Sequence, residues 1–297
     1  MRILLTGKDG QLGFELHRLL ERHATIISWR REDIDFQNPV GLSTLVRRLP
    51  ELTMIINAAA YTNVDEAERK LLKAELVNQE APAILAAEAD QRNIPMIHFS
   101  TDYVFDGKKW KQPYTEEDRP NPLSIYGWSK LVGEQSVLKL CEKALVFRVS
   151  GLYGNRRRNF YTTMLKYLHS GETPRVVEDQ IISPNWTPMV AEAVEHVVYR
   201  ILSSQNIPWG LYHLSGTGCT TWYELARLIF QKASDLWNIR HVEPVPVDSN
   251  EYAAVAQRPT YSVLNSQKFN SAFGYELPDW QSQLFHCVNN ISLQTHQ

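Results

Sequence analysis

The first twenty residues, MRILLTGKDGQLGFELHRLL, hold the tightest constraint on how this chain can fold. Residues 2–6 are a short apolar run, the length and character of a buried strand. Gly7, Gly10 and Gly13 follow at once. Leu12, Leu16, Leu19 and Leu20 then fall at i, i+4, i+7 and i+8, one face of a helix. A strand, a glycine loop and a helix in that order make the opening half of a βαβ unit, and such units build parallel sheets covered by helices. The glycines let the chain turn tightly and let backbone N–H groups approach an anion, with the helix N-terminus facing it. The spacing is GxxGxxG rather than the more familiar GxGxxG. By itself the loop is also compatible with an ordinary strand-to-helix turn; directly after the first strand it predicts a dinucleotide site.

The same rhythm continues. Apolar runs at 25–29, 54–57, 96–100, 145–149 and 211–214 read as further strands, each bounded by polar or turn residues. The Ala- and Leu-rich stretch 71–92 is long enough for a crossover helix, and Pro82 inside it predicts a kink or a restart. The expected fold is α/β, a Rossmann-like doubly wound parallel sheet with a smaller C-terminal substrate-binding region. Residues 1–150 form the dinucleotide-binding domain in this reading. After about residue 150 prolines gather, at 174, 184, 188, 208, 244, 246 and 259, and strand signals thin out. Residues 151–297 are therefore expected to be mainly substrate-binding, with a helix at 190–202 and a strand at 211–214 returning to the main sheet. The tail 292–297 is expected to fray.

With 43% apolar residues and a formal net charge of −2, the 297-residue chain has ordinary globular composition. No basic excess points to nucleic acid, and no apolar run approaches the ~18 residues of a membrane span. The N-terminus has no basic segment followed by an apolar core, as a signal peptide would. Cys141, Cys219 and Cys287 are far apart and odd in number, so they form neither a disulfide framework nor a metal-type pair. A cytoplasmic location is the expectation.

The chemistry concentrates in two places. After the second strand comes Arg30-Arg31, where an NAD site usually offers a carboxylate to the ribose. The pair is either a solvated basic loop or a clamp for a 2′-phosphate. Glu32 and Asp33 follow and could bond a free ribose hydroxyl, so NADPH is expected with NADH possible. The second place is SIYGWSK, 124–130. If 125–139 is a helix, Tyr126 and Lys130 lie one turn apart on one face. A phenol with an ordinary pKa near 10 is a usable acid, and a neighbouring ammonium stabilises its phenolate. Such a tyrosine can protonate a carbonyl oxygen as hydride reaches the carbon. Thr101, ending a strand in STDYVFDG, can offer a hydroxyl to the same oxygen. Tyr-x-x-x-Lys alone is a common surface pair; the glycine loop and the strand-ending STDYVF give it its weight.

GKDGQLG, NAAAYTNVDEAE (57–68), STDYVFDG, YGWSK and QRPTYSVL (257–264) occur in this order across nearly the whole chain. Together they resemble the dTDP-4-dehydrorhamnose reductase family of the extended short-chain dehydrogenase/reductase superfamily. The resemblance implies NADPH-dependent reduction of a 4-keto nucleotide sugar, dTDP-4-dehydro-6-deoxy-L-mannose giving dTDP-L-rhamnose. It implies Tyr126 as proton donor, Lys130 on the nicotinamide ribose and Thr101 on the sugar carbonyl. Gly7, Gly10, Gln11, Leu12 and Gly13 would form the cofactor loop, with Ala58, Ala59 and Ala60 along the adenosine half and Tyr61 near the nicotinamide. Val64, Asp65, Asp102 and Tyr103 would face the sugar nucleotide and Arg258 its nucleotide end. Each has a plainer alternative: the alanines permit close packing, Asp65 caps a helix, Arg258 makes a structural ion pair.

The sequence also departs from the family pattern. Gly151 stands where the family often has Trp after RTS; DQIISPN (179–185) has Ile182 for Gly and Asn185 for Thr. These fall where the substrate is expected, so they bear on the sugar more than on the chemistry. The run Arg156-Arg157-Arg158 is a solvated loop or reaches the diphosphate. Two other roles come with the resemblance: another nucleotide-sugar dehydratase or epimerase, and a non-catalytic NADP-binding regulatory subunit like that of methionine adenosyltransferase. Dehydratases of the superfamily carry Asp-Glu where this chain has Asp102-Tyr103. Some relatives are metal-dependent dimers; no acidic cluster in the sequence predicts a metal site, which leaves magnesium and the choice of monomer or homodimer open.

Overall fold

The computed structural model describes residues 1–109, 111–203 and 206–294. Strand β1 (Arg2–Thr6) leads through the glycine loop into helix α1 (Gln11–Leu20), and β2 (Thr25–Trp29) follows. Next come α2 (Pro39–Arg48) and β3 (Met54–Asn57). A helical layer holds α3 (Val64–Ala67), α4 (Leu71–Glu75), a π-helical turn Leu76–Glu80 and α5 (Ala81–Gln91). Strand β4 (Met96–Thr101), helix α6 (Ile125–Leu140) and β5 (Ala144–Val149) complete the regular part.

One six-stranded sheet orders these strands as Gly210–His213, β5, β4, β3, β1, β2. Every pairing in it is parallel. From β1 the chain steps outward to β2, then crosses back to place β3 on the other side of β1. The carboxyl ends of β1 and β3 therefore flank a topological switch point, where doubly wound sheets leave a crevice.

Strand alternation divides the core. Ile3 and Leu5 of β1, Met54 and Ile56 of β3 and Phe147 of β5 face α1 and the helix Thr187–Leu202. Leu4, Ile55, Met96 and Val146 face the other way, onto Leu42, Val46, Leu85 and Val137. Both faces are covered, which is why the strands read as continuous apolar runs.

The interruption in 71–91 is a π turn just before Pro82. A proline has no N–H to give the carbonyl four residues back and crowds it, and that carbonyl belongs to Asn78, inside the turn. The widened turn brings the Asn78 carbonyl against α6 at Gly133, where a Cβ would stand 1.9 Å from that oxygen.

Beyond β5 lie three short strand pairs and a separate apolar cluster formed by Phe160–Ser170, Trp222–Trp237 and Trp280–Gln294. Residues 292–294 continue the last helix; 295–297, the remainder of the tail expected to fray, lie outside the described residues.

Candidate active site

A cavity of about 660 Å³ opens at the switch point. Gly7, Gly10, Gln11 and Leu12 line it from the first loop, Ala58, Ala59, Ala60 and Tyr61 from the segment after β3, and Tyr126 and Lys130 from α6. Arg30 and Arg31 close one end, with Arg157 and Arg158 beside them on the wall. Gly7 sits at φ +73°, and a Cβ there would lie 2.7 Å from the Ala58 backbone. Gly13 does not line the cavity. A Cβ on it would stand 2.1 Å from the Gly7 carbonyl oxygen, so its role is to let α1 press against the loop.

Among the buried polar atoms on this wall that lack a hydrogen-bond partner are Gln11 Oε1 and Ser100 Oγ. Orphaned polar atoms at a cavity wall mark positions where a ligand group would complete the bonding. The glycine cradle, these two atoms and the guanidinium groups at one end fit a phosphate-bearing dinucleotide.

Helix α6 starts at Ser124, whose side chain accepts from the Gly127 N–H. Burial pushes the Tyr126 phenol up to about 12, and the hydroxyl of Thr101 draws it back. Burial pushes the Lys130 ammonium down to about 8, with Glu134 opposing. Lys130 Nζ donates to the Phe99 carbonyl over 2.6 Å. Thr101 lies outside the cavity lining, and its hydroxyl donates to Asp102 Oδ1 at 3.2 Å while accepting from the Tyr103 N–H.

The expected substrate residues do not line this cavity but gather behind α6. Asp102 is turned inward, 2% exposed, and its other oxygen accepts from Ser150 and Ser262 hydroxyls at 2.9 and 2.5 Å. Burial raises its carboxyl to about 6 against those three hydroxyls. Three hydroxyls thus take up the Asp102 carboxylate, which lies outside the cavity lining. Tyr103 packs edge-on against Tyr126 with ring centroids 5.9 Å apart. Val64 opens α3, half-buried. Asp65 does not cap that helix; Asn63 does, accepting from the Glu66 N–H. Asp65 instead takes Arg258 in a two-point ion pair, 2.8 and 3.3 Å, and accepts the Ala256 N–H.

At the second strand, Arg30 is already engaged: Asp33 takes its Nε and Nη2 at 3.0 and 3.1 Å, and Glu32 its Nη1. Ile182 and Asn185, expected to face the substrate, are buried. Asn185 Nδ2 donates to the Ser150 and Ser183 carbonyls and to the Ser215 hydroxyl, and Oδ1 accepts the Gly216 N–H. Gly151 adopts φ +52°, and a Cβ there would meet Ile182 at 3.1 Å. Ile182 thus packs against the backbone where a larger residue would stand.

Sequence reasoning passed over Asn78, His98 and Ser100. Asn78 accepts the Tyr61 N–H at 2.8 Å and donates to the Tyr61 carbonyl and the Ser129 hydroxyl, tying the loop after β3 to α6. Its one sequence signal is Pro82, four residues on. Among the described residues no group of three or more His, Cys, Asp or Glu side chains could hold a metal, and no helix is long and apolar enough to cross a membrane.

Fold and site together define a dinucleotide-binding α/β protein of the short-chain dehydrogenase/reductase type, with a Tyr–Lys pair at the switch-point crevice. The chain matches the family model described as RmlD substrate binding domain over residues 1–293. It is 37% identical to dTDP-4-dehydrorhamnose reductase of Escherichia coli K12, covering 99% of both chains, and 34% identical to the Burkholderia thailandensis enzyme of that name, covering 99% of this chain and 100% of the other. A Bacillus anthracis dTDP-4-dehydrorhamnose reductase solved in complex with NADP superposes with a TM-score of 0.86 at 31% identity, covering 97% of this chain and 99% of that one. The Clostridium acetobutylicum ortholog gives 0.88 at 32%, covering 98% and 100%. The chain belongs to the dTDP-4-dehydrorhamnose reductase family.

Proposed function

We propose that this protein reduces the 4-keto group of a nucleotide sugar with NADPH, converting dTDP-4-dehydro-6-deoxy-L-mannose to dTDP-L-rhamnose. The observation that carries this is the placement of Tyr126 and Lys130 on the wall of the cavity that also holds the glycine cradle. Gly7, Gly10, Gln11 and Leu12 hold the diphosphate in this reading, Ala58, Ala59 and Ala60 the adenosine half, and Tyr61, Ser100 and Lys130 the nicotinamide half. When bound, NADPH supplies the hydride. Tyr126 gives its proton to the carbonyl oxygen as the alkoxide forms, and a phenol kept neutral by burial is the right donor. Thr101, within reach of Tyr126, orders that hydroxyl. Tyr103 and Arg258 meet the nucleotide end from behind α6.

Turnover of a panel of 4-keto nucleotide sugars, followed at the nicotinamide absorbance, tests the reading. Tyr126→Phe keeps the ring and removes only the proton, so kcat is expected to fall about 10²–10⁴-fold with NADPH affinity unchanged. Wild type that turns over none of the sugars, or a Phe variant with near-normal kcat, would overturn it.

A further inference from the structure

His98, central in β4 and 0% exposed, is a buried imidazole to which the reaction above assigns no part. Its two nitrogens are held differently. Asn57 Oδ1 accepts from the Thr6 hydroxyl at 2.6 Å and from the Ala59 backbone N–H at 3.2 Å. A backbone N–H can only donate, so the Asn57 amide is fixed with its Nδ2 toward His98 Nδ1, 3.1 Å away. Nδ2 can only donate as well, so Nδ1 must accept. The single proton of a neutral imidazole is then on Nε2, and Nε2 faces Lys130 Nζ at 3.4 Å. Two donors oppose each other there if Lys130 is an ammonium. A neutral amine has a lone pair and accepts.

We propose that His98 is a positioning residue for Lys130: Asn57 fixes the imidazole proton on Nε2, and that proton favours the neutral amine over the ammonium. The proposal deepens the reading of Lys130 as the partner of Tyr126 and rests on it. Burial acts in the same direction on Lys130 and keeps His98 itself neutral, well below the usual imidazole range. Other groups around α6 do not cancel the effect. Glu134, one turn along, favours the ammonium but is held by Arg148 of β5. Tyr126, one turn back, is a neutral phenol with Thr101 beside it, and Asp102 at the end of β4 is taken up by hydroxyls. From the facing helical layer, Glu68 accepts the Ile125 N–H and Lys73 lies over the Tyr61 ring. A lysine so held releases its proton more readily. When Tyr126 has passed its proton to the substrate oxygen, the Lys130 ammonium can give one to the phenolate and restore the phenol, and the amine so formed regains its own from solvent.

Nuclear magnetic resonance of the cofactor-free protein tests this without any substrate, so failure of the proposed activity and failure of this inference are separate results. Long-range ¹⁵N–¹H correlations should place the His98 proton on Nε2; a proton on Nδ1 overturns the proposal. Titration of the Lys130 ¹³Cε signal should show the ammonium lost at lower pH in wild type than in His98→Phe. In wild type the imidazole N–H opposes the ammonium, so removing that donor raises the lysine pKa, by about one pH unit for one hydrogen bond made by only one protonation state. The alkaline limb of kcat/KM should move upward by the same amount. A folded His98→Phe with an unchanged Lys130 titration overturns it. If His98→Phe does not fold, Asn57→Asp replaces it. The carboxylate can only accept, so the imidazole proton should move to Nδ1, Nε2 should accept from Lys130, and Lys130 should titrate higher; an unmoved tautomer or an unmoved titration overturns the proposal.

Discussion

Four arginines stand at one end of the cavity, and what separates them is what each guanidinium already holds. Arg30 is bound on three nitrogens by Asp33 and Glu32. Arg157 donates its Nε to the Asp9 carbonyl over 2.7 Å. Arg31 and Arg158 make no hydrogen bond or ion pair with protein groups among the described residues. A phosphate reaching Arg30 would have to displace two carboxylates, whereas Arg31 can take it directly. We therefore propose Arg31 as the group that would favour NADPH over NADH. Arg31→Ala should lose about tenfold of that preference, the equivalent of ~1.4 kcal/mol, and Arg30→Ala should change it little. Arg158→Ala should weaken both cofactors alike, since the diphosphate is common to them. Fluorescence titration of each variant with both cofactors decides this, and the Arg31 effect should shrink at high salt. A larger loss in Arg30→Ala than in Arg31→Ala would reverse the assignment.

At the scale of elements, the site depends on the meeting of α6 with the π turn. Pro82 frees and displaces the Asn78 carbonyl, Gly133 makes room for it, and the Asn78 side chain grips both backbone groups of Tyr61. Gly133→Ala would put a methyl carbon 1.9 Å from a backbone oxygen that cannot rotate away. One element must shift, with an expected loss of ~1–3 kcal/mol and a fall in kcat, because α6 carries Tyr126 and Lys130. Urea midpoints and kcat together check this; wild-type values for both would show that the two elements do not act as a unit. None of this contact is visible in the sequence. A proline in a helical run signals an interruption, but whether the chain answers with a kink or a π turn depends on what packs opposite. The strands were legible because burial on both faces leaves uninterrupted apolar runs. The glycine loop and Tyr126–Lys130 were legible because their spacing is local. The inward turn of Asp102 was not, because Ser150 and Ser262, which hold it, lie 48 and 160 residues away in the chain. Nor was the engagement of Arg30, where the sequence offers Glu32 and Asp33 equally to the arginine and to a ribose.

Across the whole molecule, the segment 256–264 returns from the C-terminal part to the back of α6, and besides its backbone bonds to Tyr114 and Ile181 two of its side chains fasten it. Ser262 bonds Asp102, and Arg258 bonds Asp65 at the start of α3. The second fastening is the one that can also meet a ligand: the Arg258 side chain is 18% exposed and Asp65 41%. Burial works against the charge on Arg258, and the Asp65 carboxylate outweighs it and holds the guanidinium protonated. Asp65 takes one edge of that guanidinium and the Ala256 carbonyl accepts a further N–H at 3.3 Å, so a nucleotide would meet the edge turned from Asp65. Two consequences of removing it can be separated. As an ion pair half open to solvent it contributes at most ~1 kcal/mol to stability, so Arg258→Ala should lower the urea midpoint only slightly. As a charge-assisted contact to the substrate it is worth ~1.5–3 kcal/mol, so KM for the sugar nucleotide should rise about tenfold to a hundredfold, with the NADPH Kd unchanged. Asp65→Asn is the companion variant. It weakens the ion pair and keeps the guanidinium, so it should reproduce the stability change but raise KM by less. Equal KM values in both variants and the wild type would leave Arg258 a purely structural fastening and move the nucleotide end of the substrate elsewhere.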